Sequence, residues 1–196
     1  LKFWALDDTF DVVASGSLLG VNYKTVPSFP VGYERQVNMY SLDFEEYLWA
    51  IGLSEEVVDS LREHFFKREK IDDSIHKKMM EYLREYMVVG GMPAVVNQFV
   101  ATKNFGIVHQ EQEKIVSAYL NDIAKYADTT DRAKARSCFL SIPRLLAKDN
   151  TKFQYSVVER NGTARKFGSA LDWLRDAGVV AYCYNLSTLQ FPLSAY

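Results

Sequence analysis

Apolar positions recur at helical spacing through the middle of the chain. Ser54 and the acids Glu55 and Glu56 open a helix whose apolar face is Val57, Val58, Leu61 and Phe65. Asp72 or Asp73 caps the next, striped by Ile75, Met79, Tyr82, Leu83 and Tyr86. Gly90-Gly91-Met92-Pro93 reads as a helix stop followed by a helix start, since proline suits the first helical position. The longest predicted helix covers 105–126, with Val108, Ile115, Tyr119 and Ile123 inward, and a short one covers 44–51 behind Ser41-Leu42-Asp43.

The pattern changes at both ends. Residues 11–14 form a short β-branched run stopped by Ser15-Gly16-Ser17, which suits a buried parallel strand whose sheet partners lie outside the chain. A second short strand is predicted over 36–40. After a boundary at 127–131 come a helix over about 132–148, a strand over 153–157, a helix over 164–177 and an apolar strand over 179–184. On the 164–177 helix Phe167, Ala170, Leu171 and Leu174 share one face, while Arg165, Lys166, Ser169 and Asp172 point elsewhere. Helix, strand, helix and hairpin is the outline of a winged helix-turn-helix. The fold class expected is mixed α/β, mostly α. Its divisions are 1–52, 53–127 and 128–196.

Composition narrows the classes. Of 196 residues 48% are apolar and 14% aromatic, too much buriable surface for a disordered chain. No apolar run approaches the ~20 residues of a membrane span. A net charge of −2 argues against nucleic-acid binding driven by bulk charge. Two cysteines, Cys138 and Cys183, form no disulfide framework and suit a reducing, cytoplasmic setting. The chain opens at Leu1 without a signal peptide and closes on Phe191-Pro192-Leu193-Ser194-Ala195-Tyr196; both ends read as positions inside a longer protein, or as the result of processing.

Few residues offer chemistry. There is no phosphate loop of the G-x-x-x-x-G-K-[ST] type, and His64, His76 and His109 are scattered, so no metal site is expected. Ser15, at the carboxyl end of the expected strand, either orients a ligand or caps a turn. Arg35 either reaches a phosphate or is simply solvated. Asp122, near a helix end, either meets a cation or faces solvent. Lys67-Arg68-Glu69-Lys70, and Arg132, Lys134, Arg136 and Arg144, offer basic clusters. Arg165, Lys166 and Arg175 form a candidate nucleic-acid face on the 164–177 helix. Trp173 either completes the core or meets a partner domain.

Several segments together resemble the AAA+ family ATPases of bacteria and archaea that carry a DUF4143 region. They are Leu1-Lys2-Phe3-Trp4, Asp11-Val12-Val13-Ala14-Ser15-Gly16-Ser17-Leu18-Leu19-Gly20-Val21, Ser28-Phe29-Pro30-Val31-Gly32, Met39-Tyr40-Ser41-Leu42-Asp43-Phe44-Glu45-Glu46-Tyr47-Leu48, Gly90-Gly91-Met92-Pro93-Ala94-Val95-Val96, Tyr119-Leu120-Asn121-Asp122-Ile123 and Ser141-Ile142-Pro143. The resemblance implies a remnant of a parallel ATPase sheet over 1–52, a helical lid over 53–127 and a winged-helix-like opening of the DUF4143 region over 128–196. It implies Ser15 in a sensor-1 role. It places Arg35 near an arginine finger, although this chain reads Gly-Tyr-Glu-Arg where such proteins often carry arginine directly after the glycine. It also implies ATP and Mg²⁺ for the parent protein and none for this chain, which lacks both the phosphate-binding loop and the acidic pair of that family. The partners implied are an N-terminal ATPase sheet, a C-terminal nuclease-like domain and further copies of the chain. Three functions remain open: a piece of an ATPase inactive by itself, a nucleic-acid-binding regulator acting through the winged helix, and a protein-interaction module acting through Trp173.

Overall fold

The computed structural model describes residues 13, 35, 37–127, 129–150 and 152–184. Eight helices appear among them: α1 Phe44–Ala50, α2 Glu55–Lys67, α3 Asp73–Val89, α4 Pro93–Thr102, α5 Phe105–Tyr126, α6 Thr129–Leu146, α7 Tyr155–Val158 and α8 Ala164–Asp176. The chain divides into two compact units, one covering 35–117 and the other including 118–196; α5 contributes to each.

Local chemistry sets the helix ends in the first unit. The Asp43 carboxylate accepts from the Glu46 N–H, and the Glu46 carboxylate accepts from the Asp43 N–H, which satisfies two otherwise orphan donors of α1. Asp72 accepts from the Ser74 N–H at 2.8 Å to start α3, and Gly90, at φ +75°, stops it. Pro93 occupies the first position of α4. At this corner the Leu42 N–H donates to the Gly91 carbonyl at 2.8 Å, and a Cβ on Gly91 would collide with the Leu42 carbonyl.

Tyr47, Val89, Val95, Val96, Phe99 and Val108 form the buried core of this unit, with Phe44, Tyr86 and Met92 packed against it. Full burial of each such side chain contributes roughly 1.5–3 kcal/mol. Two phenols connect elements: Tyr47 donates to the Glu85 carboxylate at 2.6 Å, and Tyr86 donates to the Leu42 carbonyl at 2.8 Å. Gln112 of α5 donates to the carbonyls of Val88 and Val89, satisfying acceptors at the end of α3.

In the second unit α6 packs against α7 and α8. The core there is Ile123, Ala127, Ala135, Cys138, Phe167, Ala170, Leu171, Trp173, Leu174 and Ala177. The inward face read from the sequence for 164–177 is the buried face of α8.

The expected mixed α/β class is corrected to an all-helical one, because no strand occurs among the described residues. Val13, the described member of the 11–14 run, is 94% exposed and lies in no element, where a buried parallel strand would have sequestered it. Residues 37–40 are likewise outside any element, and Val37, Met39 and Tyr40 are exposed. The run predicted as a strand over 153–157 instead forms α7. Residues 179–184 form no strand; Val179, Val180 and Tyr182 pack on the core as irregular chain. A sheet remnant and a β-wing are therefore absent from the described residues. Each of these runs is short and apolar, and periodicity does not separate a strand from a packed turn of helix at that length.

Candidate nucleic-acid interface

The second unit presents α7, a turn and α8 against α6. Three contacts fix this arrangement. Arg144 of α6 donates to the Val157 carbonyl at 3.0 Å, satisfying an acceptor at the end of α7. Lys166 of α8 donates to both carboxylate oxygens of Glu159, at 2.6 and 2.8 Å, and so ties the start of α8 to the end of α7. In the turn itself Asn161 adopts φ +64°, a conformation asparagine tolerates better than most residues. Gly162 follows, where a Cβ would collide with the Tyr155 carbonyl.

Helical periodicity then sorts α6. Ala135, Cys138, Ser141 and Leu145 are buried. Arg132, Arg136, Leu140 and Arg144, spaced four residues apart, lie along the exposed side. Burial pushes the Cys138 thiol up to about 11, leaving it a small apolar filler rather than a nucleophile. Ser141 satisfies its hydroxyl by donating to the Cys138 carbonyl at 2.7 Å.

Charge is unevenly placed. Between residues 132 and 166 the chain carries nine Lys and Arg against two acids, Asp149 and Glu159. Two of the nine are neutralised locally, Lys134 by Asp131 at 3.2 Å and Lys166 by Glu159. The remaining seven, Arg132, Arg136, Arg144, Lys148, Lys152, Arg160 and Arg165, are exposed and have no carboxylate partner among the described residues. In the first unit half of the ten basic side chains, Arg62, Lys67, Lys70, Lys78 and Lys114, pair with a neighbouring acid. Phosphates are the natural counter-charge for a surface of unneutralised arginine and lysine.

The residues singled out from the sequence fare unequally. Arg165 is exposed on the first turn of α8. Lys166 is occupied by Glu159. Arg175 is bound by Asp176 and Asp172 at 2.9 and 3.2 Å and stacks on Tyr182, with 5.0 Å to the ring centroid; the adjoining Asp176 carboxylate holds its guanidinium above the usual range. Trp173 is 8% exposed, within the core, which leaves it no face for a partner domain. Asp122 is half-buried and bonds to no cation among the described residues. Arg35 is exposed and outside any element, and Ser15 lies outside the described residues. No group of three or more His, Cys, Asp or Glu side chains able to hold a metal occurs among the described residues. No helix there is long and apolar enough to cross a membrane.

The sequence reading missed Lys148, Lys152 and Arg160. A windowed charge count would have found them, because the whole-chain balance averages the basic segment with acids elsewhere.

One protein family, described as Domain of unknown function (DUF8612), matches residues 80–194, more than half of the chain and the whole of the α6–α8 arrangement. The chain belongs to this family. No curated protein and no solved structure matches it. The DUF8612 match and the absence of strands among the described residues correct the resemblance to AAA+ ATPases with a DUF4143 region. ATP, Mg²⁺, the flanking domains and the sensor and finger roles of Ser15 and Arg35 were implied by that resemblance alone. All seven of these cations fall within the DUF8612 region.

Proposed function

We propose that this DUF8612 protein binds nucleic acid through the α6–α7–α8 arrangement. The observation that carries the reading is the set of seven exposed cations without carboxylate partners among the described residues. Ion pairs with phosphate replace condensed counterions, and the release of those counterions drives association. The net charge of −2 does not oppose this reading, because Debye screening limits exposed charges to a local influence of about 8 Å at physiological salt.

Fluorescence anisotropy with a labelled oligonucleotide, titrated across a salt series, tests the reading. Binding at 50 mM salt should weaken steeply, with a log–log slope no steeper than about −6 if all seven cations meet phosphates. The double substitution Arg136→Glu and Lys148→Glu should flatten that slope. Failure to bind any nucleic acid at low salt, or binding indifferent to salt, would overturn the proposal.

A further inference from the structure

We infer that the nucleic acid is duplex DNA, entered in its major groove by the first two turns of α8, with Arg165 and Ser169 facing the base edges; this rests on the reading above.

The exposed face of α8 is divided. Arg165, Ser169, Asp172 and Asp176 follow one another at spacings of three or four along that face. Its last two turns are occupied. Tyr182 donates to Asp172 at 3.2 Å and stacks with Arg175, which also bridges Asp172 and Asp176. Those acids would repel phosphates. In the first two turns Lys166 is held by Glu159 of the preceding turn, whereas Arg165 and Ser169 are exposed and make no contact with an acid among the described residues, and Arg160 of the turn adds a second such cation beside this end of the helix.

The open half also has a low profile. Ala164, Gly168 and Ser169 surround Arg165, and the other long exposed side chain of these turns, Lys166, is turned to Glu159. Gly168 is the informative position. Its φ is not positive, and a Cβ there would meet no atom of the described residues within 4 Å. Neither backbone geometry nor packing in this chain requires glycine at a site where it weakens the helix. Close approach of another molecule to the backbone supplies a reason.

The dimensions favour DNA. A helix about 10–12 Å across enters the ~12 Å major groove of B-form DNA, whereas the deep, narrow major groove of A-form RNA excludes it. Arginine presents its paired donors to the O6 and N7 acceptors of guanine, and a serine hydroxyl donates or accepts.

The test compares the full chain and its Arg165→Ala, Gly168→Ala and Gly168→Gln variants on one sequence supplied as duplex DNA and as duplex RNA. The DNA sequence is first selected from a randomised duplex pool. We expect DNA to bind at least about tenfold more tightly than RNA, and Arg165→Ala to lose about tenfold in affinity for the selected sequence. Gly168→Gln should raise the melting temperature yet weaken DNA binding by a similar factor, with Gly168→Ala between, a combination that misfolding would not produce. Equal or tighter binding of RNA, no enriched sequence, or full DNA affinity in Gly168→Gln overturns the inference while leaving the nucleic-acid reading intact. Absence of binding to both duplexes removes that reading and the inference with it.

Discussion

Cys138 and Cys183 carry the same thiol into opposite surroundings, one buried beneath α8 and the other exposed. At pH 8 an aromatic disulfide reagent should titrate one thiol promptly, Cys183, and the second only as the protein unfolds. Prompt reaction of both would contradict the packing of α6. Tyr47 offers a second test. Burial, reinforced by the adjacent Glu85 carboxylate, holds its phenol proton well above the ordinary value of 10. The folded state thus keeps a proton that the unfolded chain releases. The associated stability is complete below about pH 10 and declines as pH rises further. Tyr47→Phe should cost about 1 kcal/mol at neutral pH through its lost hydrogen bond. It should also make the loss of stability above pH 10 shallower, as read by urea melts at pH 8 and 10.5.

At the scale of elements, the Gly90-Gly91 corner is the most constrained turn of the first unit. Gly91→Ala must separate the Leu42 strand of chain from the corner, since its methyl would overlap the Leu42 carbonyl. A loss above ~2 kcal/mol is expected in a chemical melt, in the range of backbone clashes that displace packed structure. Helices of this kind were legible because their signals are local: Asp43 with Glu46, Asp72 with Ser74, and Pro93 after Gly90 state a start or a stop within a few residues. The strands were misread because their signal is not local. Tyr155, Val157 and Val158 are apolar whether they join a ladder or cover a core, and only the partner decides. Here Phe153 meets Tyr155 edge-on at 5.1 Å, and both pack against the core of the second unit. One turn of helix and the residues before it cover part of the core without any neighbouring strand among the described residues.

Charge is unevenly spread along the sequence from residue 35 onward. Residues 35–117 hold ten basic and fourteen acidic side chains, and residues 118–196 hold eleven and seven. The chain should therefore be retained by heparin at low salt at neutral pH despite its negative total. Arg136→Glu combined with Arg144→Glu should bring it off at lower ionic strength; unchanged elution would place the polyanion surface elsewhere. The total of −2 pointed away from this behaviour because it sums regions that act separately. Candidate residues were legible to the extent that they formed a helical pattern, as Arg165 did, and illegible where their meaning depends on neighbours, as with Lys166 and Arg175. The bond from Arg144 to the Val157 carbonyl has a further effect. Its acceptor is neutral, so the guanidinium is steadied without surrendering its charge. A side chain already confined to few rotamers sacrifices little conformational entropy when an anion arrives. On the proposed reading, Arg144 should therefore hold a phosphate with a smaller ordering penalty than the neighbouring Lys148.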